Sequence, residues 1–181
     1  MTPSQKQHLL ELAHWSIEHG IQTGRILRHR ETDPELCLDG ASFVTLNLNG
    51  ELRGCIGSLQ AHRPLAEDVV ENAFNAAFKD PRFPPVTTRE LAQLEIHISV
   101  LSPTEPVTCS SEDDLLRQLR PGIDGLVLTS GHHRGTFLPQ VWESLPDPAE
   151  FLSHLKRKAG LPAFFWSPSI KVERYTVESI P

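Results

Sequence analysis

Two segments of the chain repeat apolar residues at the spacing of an amphipathic helix. The first runs from Ser4 to about Leu27, and the second from Leu65 to Phe78, just after a proline whose fixed φ favours the first helical turn. The pattern therefore predicts two helices, each with one apolar face. A third helix is predicted by its ends: Asp147-Pro148-Ala149-Glu150 combines an N-cap, an N1 proline and an N3 carboxylate, and Gly160 ends the helix. Ser111 predicts the N-cap of a fourth, shorter helix.

Between these helices lie short segments rich in β-favouring residues. Phe43–Leu48 is followed by Asn49-Gly50, a strong hairpin signal because a type I′ turn needs positive φ at both central residues. Leu94–Leu101 alternates apolar and polar residues, as expected of a half-buried strand. Further strands are predicted at Leu126–Thr129, Arg134–Leu138 and Ile170–Val177. Local hairpins with few βαβ crossovers predict an α+β fold with antiparallel sheet.

The second strand of the first hairpin carries a guanidinium and a thiol, those of Arg53 and Cys55. A regular register would place Leu46 opposite Arg53 and Val44 opposite Cys55, with the cation and the thiol on one face of the sheet. A cation beside a thiol favours the nucleophilic thiolate, and it can also bind an anion. The alternative is a structural role, in which Cys55 is a small buried hydrophobe and Arg53 pairs with a carboxylate.

A stiff loop and two glycines add to this pattern. Asp80–Pro85 contains three prolines, which exclude a helix and predict an extended, rigid loop. Its charged residues, Asp80 and Arg82, either brace the fold or form one wall of a site, and we expect the loop to contact the cysteine strand. Gly54 and Gly57 flank the cysteine, and glycine inside a strand marks a bulge or the close approach of a backbone or a ligand.

Composition narrows the class of protein. The 181 residues are 39% hydrophobic and 22% charged, as in an ordinary globular domain. The formal net charge of −6 gives no general attraction to nucleic acid, so no such partner is expected. No signal peptide is read, and no apolar run approaches the ~18 residues of a membrane helix. Three widely spaced cysteines fit a reducing, cytoplasmic location better than a disulfide framework.

The common cofactor motifs are absent from the sequence. It contains no P-loop, no dinucleotide-binding fingerprint and no Cys-x-x-Cys pair. The cysteines are too far apart for an iron–sulfur cluster, and no Cys/His spacing matches a zinc site, so neither a cofactor nor a metal is expected. The bases available to a reactive Cys55 are His62 and His97, but the sequence does not place either beside the thiol.

Leu52-Arg53-Gly54-Cys55-Ile56-Gly57 resembles the hallmark hexapeptide of the AMMECR-type domain family, known in prokaryotes as protein A of the AmmeMemoRadiSam system. Five further segments resemble blocks of this family in the expected order. They are Arg63-Pro64-Leu65, Asp80-Pro81-Arg82-Phe83-Pro84-Pro85, Ser99-Val100-Leu101-Ser102-Pro103, Gly122-Ile123-Asp124-Gly125 and Gly135-Thr136-Phe137-Leu138-Pro139-Gln140. Together these segments cover most of the chain from about Phe43 to the last strand.

This resemblance implies a fold, a domain organisation and partners. The fold is α+β, with two lobes of antiparallel sheet flanked by helices and a cleft between them. Residues 1–181 form a single AMMECR-type domain, whose lobe boundary the sequence does not locate. The implied partners are a Memo-like protein and a radical S-adenosylmethionine enzyme, which give the system its name. No particular substrate or reaction is implied.

Two functional hypotheses follow. In the first, the chain is a binding module whose cleft takes a small molecule or a peptide. In the second, it is an enzyme in which Cys55 is the catalytic nucleophile and Arg53 binds an anionic group. Both use the same surroundings. The substrate-binding residues are predicted to be Arg53, Gly54, Gly57, Asp80, Arg82 and Arg134.

Overall fold

Two four-stranded sheets organise the protein. The computed structural model describes residues 1–181, which divide into unit one, Met1–Leu101 with Glu178–Pro181, and unit two, Ser102–Val177. The helices are α1 (Pro3–Thr23), α2 (Leu65–Phe78), α3 (Thr88–Leu91), α4 (Glu112–Gln118) and α5 (Pro148–Lys158), with a 3₁₀ helix at Pro139–Glu143. The strands are β1 (Ala41–Leu48), β2 (Glu51–Gly57), β3 (Leu94–Leu101), β4 (Glu105–Pro106), β5 (Gly125–Ser130), β6 (His133–Phe137), β7 (Lys171–Tyr175) and β8 (Val177–Ile180). None of the helices combines the length and the apolar character needed to cross a bilayer.

The first predicted helix is confirmed, with its end four residues earlier than expected. The side chain of Thr2 accepts the backbone N–H of Gln5, and Gln5 returns a hydrogen bond to the backbone N–H of Thr2. This capping box satisfies two backbone donors at the start of the helix. The helix ends at Thr23 because Gly24 adopts a left-handed conformation, with φ of 69°.

The predicted hairpin turn is also confirmed, but the register beyond it is not the predicted one. Asn49 and Gly50 both have positive φ, 54° and 79°, and Leu48 pairs with Glu51 as expected. The predicted pairings of Leu46 with Arg53 and of Val44 with Cys55 are wrong. A β-bulge at Arg53 adds one residue to β2, so Leu46 pairs with Gly54, Thr45 with Cys55, and Val44 with Ile56.

The bulge decides which face of the sheet each residue occupies. In unit one, α1 and α2 cover the face that carries Val44, Leu46 and Ile98, all fully buried. Because side chains alternate along a strand, Thr45 points to the opposite face. Its partners on the two neighbouring strands, Cys55 on β2 and His97 on β3, share that face. The thiol therefore lies away from the helices.

Unit two repeats the plan of one sheet and flanking helices, with strand order β4-β7-β5-β6. Its core contains Leu126 and Leu128 of β5 and Phe151 and Leu155 of α5. The ring of Trp142 stacks on that of Phe151, with centroids 3.7 Å apart. The α+β class with two antiparallel sheets is thus confirmed.

The predicted last strand, Ile170–Val177, corresponds to β7, and the short strand β8 that follows it was not predicted. β7 belongs to the sheet of unit two, whereas β8 lies beside β3 in the order β2-β1-β3-β8. No turn signal separates the two strands in the sequence, so the change of sheet left no local trace. Unit one therefore takes its fourth strand from residues that follow unit two in the chain.

Candidate functional site

The proline-containing loop lies against the cysteine strand, as predicted. The Asp80 carboxylate (Oδ2) accepts the backbone N–H of Cys55 at 2.9 Å. Nη2 of Arg82 donates to the backbone carbonyl of Cys55 at 3.3 Å. The loop thus takes up both main-chain polar groups of one strand residue, much as a neighbouring strand would. This arrangement fixes the loop to β2 at the cysteine.

Asp80 and Arg82 form a close ion pair within this loop. Nε of Arg82 donates to Oδ1 of Asp80 at 2.9 Å, and Nη2 donates to Oδ2 at 2.7 Å. These bonds hold the pKa of the Asp80 carboxyl well below its usual range, against the opposing effect of burial, and raise the pKa of Arg82. The Asp80 side chain is 2% exposed, whereas that of Arg82 is 54% exposed. The Asp80 carboxylate therefore fixes the orientation of the Arg82 guanidinium, while the Arg82 side chain remains open to solvent.

Arg53 is held differently from Arg82. Its Nε donates to Oε1 of Glu90 at 2.7 Å and its Nη2 to Oε2 at 3.3 Å, and its side chain is only 10% exposed. The hydrogen bond from Arg53 is the main reason that the pKa of Glu90 falls to about 2; bonds from Thr87 add to it. Nη1 of Arg53 is buried without a hydrogen-bond partner. The charge of Arg53 is thus already paired, and its predicted role as an anion-binding group stays a prediction.

The thiol of Cys55 is half-buried, and its hydrogen-bond partner is the hydroxyl of Thr45, whose Oγ1 lies 3.3 Å from Sγ. His97 follows in the same row on the far side of β1, about 10 Å from Cys55 by two strand spacings. Nδ1 of His62 instead contacts the carbonyl of Gln60 at 2.8 Å. Neither histidine is within hydrogen-bond distance of the thiol, so this structure shows no general base for it.

The two predicted binding glycines are both required by packing. A Cβ on Gly54 would overlap the carbonyl oxygen of Ala76 in α2, and one on Gly57 would overlap the ring of Phe43. Glycine at these positions lets the helix backbone and an aromatic ring approach the strand closely. This packing explains both glycines without a ligand, and their contact with substrate stays a prediction.

The predicted site residues are divided between the two units. Arg53, Cys55, Asp80 and Arg82 belong to unit one, where the structure brings them together as one constellation. Arg134 belongs to β6 of unit two, where it is exposed, and its contact with substrate stays a prediction.

Sequence reasoning missed Glu90, the partner of Arg53. This residue forms a capping box with Thr87 at the start of α3, where Oε2 accepts the Thr87 backbone N–H at 2.8 Å. The spacing Thr87-x-x-Glu90 is itself a recognisable helix-start signal. It could have located the helix. It could not have shown that the same carboxylate reaches Arg53, 37 residues earlier in the chain.

Two cavities of unit one lie on the side of α1 and α2. The smaller, of about 250 Å³, is lined by residues including Leu27, His29 and Glu67, and the larger, of about 1040 Å³, by residues including His19, Arg25 and Phe74. No residue of the hexapeptide lines either cavity. The surface around Cys55 and Arg82 is thus separate from both.

Comparison with known proteins places the chain in a family. The profile of the AMMECR1 family matches residues 10–180. The chain belongs to the AMMECR1 family. It is 38% identical to a protein of Methanothermobacter thermautotrophicus, across 94% of this chain and 90% of the relative, and 38% identical to one of Thermotoga maritima, across 90% of each. The solved structure of an uncharacterized protein from Pyrococcus horikoshii superposes with a TM-score of 0.89 at 36% identity, covering 99% of this chain and 92% of that one.

The AMMECR1-like segments of unit two have structural roles that the geometry explains. The carbonyl of Asp124 accepts the indole N–H of Trp142 at 2.7 Å, which anchors a ring at the centre of the core. Gly135 lies where a Cβ would come within 2.9 Å of the backbone nitrogen of Ala159, at the end of α5. These segments hold strands and helices together in unit two, whereas the hexapeptide also borders a partly exposed surface.

Proposed function

We propose that this AMMECR1-family protein binds an anionic small molecule, or a peptide carboxylate, at the surface formed by Arg82, Cys55, Thr45 and His97. The observation that carries the proposal is the guanidinium of Arg82. The Arg82 side chain is 54% exposed, and it donates a hydrogen bond to the backbone of Cys55, whose thiol is half-buried. Its Nε and Nη2 are bonded to Asp80 and to Cys55, while Nη1 makes no hydrogen bond in the protein.

The fixed orientation of Arg82 favours binding. An arginine already held in place loses little conformational freedom when it meets an anion, and its planar fork matches a carboxylate or phosphate. Such a charge-assisted hydrogen bond contributes about 1.5–3 kcal/mol. The negative charge of Asp80 offsets part of this attraction at longer range, so we expect contacts with Nη1 rather than general electrostatic attraction to supply the affinity.

The test is recovery of the ligand by mass spectrometry of small molecules that co-purify with the protein. Arg82→Gln should lose most of the bound ligand, whereas Arg117→Gln, which alters an exposed arginine outside the predicted site residues, should retain it. Thermal unfolding of both variants checks that the fold survives, since Arg82→Gln leaves Asp80 with its backbone donors. Full retention of ligand by a folded Arg82→Gln variant would refute the proposal.

The change Cys55→Ser separates binding from catalysis. If the thiol only borders the site, the serine variant keeps the ligand, because its hydroxyl preserves the shape and a hydrogen bond with Thr45. If Cys55 is a nucleophile, the variant binds the ligand but forms no covalent adduct and no product. A covalent mass shift on Cys55, absent from Cys55→Ser, would favour the enzyme hypothesis over the binding module.

We further propose that the protein acts in the cytoplasm with a Memo-like protein and a radical S-adenosylmethionine enzyme. Membership of the AMMECR1 family supports these partners, and the three unpaired cysteines support the location. Co-expression of the three chains, followed by affinity capture of this one, tests the association. Absence of both partners from the captured material, with this chain folded and in excess, would contradict it.

A further inference from the structure

A cluster of three potential metal ligands lies on unit one, away from the thiol. His8 belongs to α1, and His29 and Glu31 belong to the segment that follows it. Nε2 of His8 lies 2.9 Å from Oε2 of Glu31, and Nε2 of His29 lies 3.3 Å from the same oxygen. All three atoms lie within 4.8 Å of one another. Two imidazole nitrogens and one carboxylate oxygen thus converge on one point.

The chain holds this geometry in place by itself. Oε1 of Glu31 accepts the backbone N–H groups of Thr32 at 2.7 Å and Asp33 at 2.8 Å, which leaves Oε2 to face the histidines. Nε2 of Gln5, on α1, donates to the Asp33 carboxylate at 3.1 Å. These bonds fasten the segment to the helix that carries His8. The cluster is therefore preorganised, as a ligand site requires.

The three proposed ligands differ in their exposure. The Glu31 side chain is 7% exposed, whereas those of His8 and His29 are 31% and 27% exposed. A buried carboxylate thus lies beneath two imidazoles that solvent can reach.

We propose that His8, His29 and Glu31 form a binding site for one Zn²⁺ ion. Zinc binds imidazole nitrogen and carboxylate oxygen at about 2.0–2.2 Å, so neighbouring ligand atoms of a tetrahedral site lie about 3.3–3.5 Å apart. The two distances to Glu31, 2.9 and 3.3 Å, require only small adjustments to reach this value. Sequence spacing did not reveal the site because His8 lies 23 residues before Glu31.

An orphaned ring nitrogen supports a metal rather than an ion pair alone. Nε2 of His29 is buried and has no hydrogen bond of adequate geometry, although Oε2 of Glu31 is close. A bound ion would satisfy this nitrogen, the Glu31 oxygen and the His8 nitrogen together. Without an ion, the hydrogen bond between His8 and Glu31 satisfies those two groups and leaves Nε2 of His29 without a partner.

Three protein ligands leave one tetrahedral position for water or an exogenous ligand. His29 also lines the cavity of about 250 Å³, which Arg28, Glu67 and Glu71 border as well. A molecule in this cavity would therefore lie next to a metal ligand. In both histidines Nδ1 has no hydrogen bond to another protein group. Where a protein supplies such a bond to the second ring nitrogen of a ligating histidine, it raises metal affinity by about 10–100-fold. We expect affinity below that of a fully supported structural zinc site.

The test is calorimetric titration of ZnCl₂ into the full chain, freed of metal by a chelator and carrying no histidine tag. The wild type should bind one equivalent. His29→Ala and Glu31→Gln should each weaken binding at least about tenfold, because each removes one of three ligands. The matched control is His14→Ala, which removes an exposed histidine of the same helix and should bind zinc as the wild type does.

A second readout keeps the result interpretable if a variant is less stable. Co²⁺ replaces Zn²⁺ in such sites, and the Trp15 ring lies 6.5 Å from that of His8, so Co²⁺ should quench Trp15 fluorescence in the wild type and in Trp142→Phe. Zinc should raise the melting temperature of the wild type but not that of Glu31→Gln. A folded wild type that binds no stoichiometric zinc, or folded ligand variants that bind it equally well, would overturn the proposal.

Discussion

The two units each contain a hairpin whose second strand carries an Arg-Gly pair, Arg53-Gly54 on β2 and Arg134-Gly135 on β6. In both hairpins the glycine lies against helix backbone, at Ala76 of α2 and at Ala159 after α5. The two glycines therefore have the same structural role in their units. They allow a helix to approach a strand more closely than any side chain would permit.

The arginines differ, and strand register accounts for the difference. β5 and β6 pair without interruption, Leu128 with Gly135 and Thr129 with Arg134, and Arg134 points into solvent. The bulge in β2 removes Arg53 from the register, and its side chain is buried against Glu90. An Arg-Gly pair is thus not in itself evidence for a ligand. Beside the hexapeptide, the cation that is both exposed and fixed in place is Arg82, which belongs to the proline-containing loop.

Replacing the two glycines should give the largest effects. Gly54→Ala forces a Cβ into the carbonyl oxygen of Ala76, and we expect a loss of about 3 kcal/mol or more in the free energy of unfolding. Gly135→Ala brings a Cβ within 2.9 Å of backbone, a milder clash that should cost about 1–2 kcal/mol. Urea denaturation of both variants measures the difference. Equal losses would show that the two contacts are equivalent.

Removing the partner of Arg53 should have the next largest effect. Glu90→Ala leaves a guanidinium that is 10% exposed without its counter-ion and also removes the α3 capping box. We expect a loss of about 2–3 kcal/mol in the free energy of unfolding. The double variant Arg53→Met with Glu90→Ala is the control. It should recover part of that loss, because no unpaired charge remains buried; no recovery would assign the whole loss to the helix cap.

Acid should reveal the same ion pair. The pKa of Glu90 is about 2 in the folded protein, against the ordinary value of 4.5 expected in the unfolded chain. The contribution of the ionised carboxylate to the free energy of unfolding is therefore complete above pH 5 and is lost as the pH falls towards 2. The difference in unfolding free energy between the wild type and Glu90→Gln should shrink over that range, by on the order of 2 kcal/mol. Other acidic groups titrate in both proteins and cancel. A difference independent of pH would contradict the pairing.

The smallest effect is expected for the exposed arginine of unit two. Arg134→Ala should change the free energy of unfolding by less than about 0.5 kcal/mol, because the side chain is exposed and makes no ion pair. Urea denaturation under the conditions used for Glu90→Ala provides the comparison. A loss above 1 kcal/mol, on the order of a buried hydrogen bond, would show that Arg134 has a structural partner.

Local signals predicted the elements of this fold, and long-range contacts escaped prediction. Asn49-Gly50 determined the hairpin turn because its backbone conformation excludes most other residues. The prolines of Asp80–Pro85 predicted a stiff loop, which does contact β2. The register shift at Arg53 was missed, because Gly54 indicated either a bulge or a close backbone approach and the alternation along the strand did not decide between them. The pairing of Arg53 with Glu90 was missed because no local pattern encodes it.

The order of the strands in unit one has a consequence for synthesis of the chain. All of unit two is translated after β3 and before β8. Until Val177–Ile180 leave the ribosome, the nascent protein presents one edge of β3 with unpaired backbone N–H and C=O groups. Such an edge can pair with a second nascent copy. Closely spaced ribosomes on one message would therefore be a particular hazard for this protein, and the emergence of Val177–Ile180 removes it.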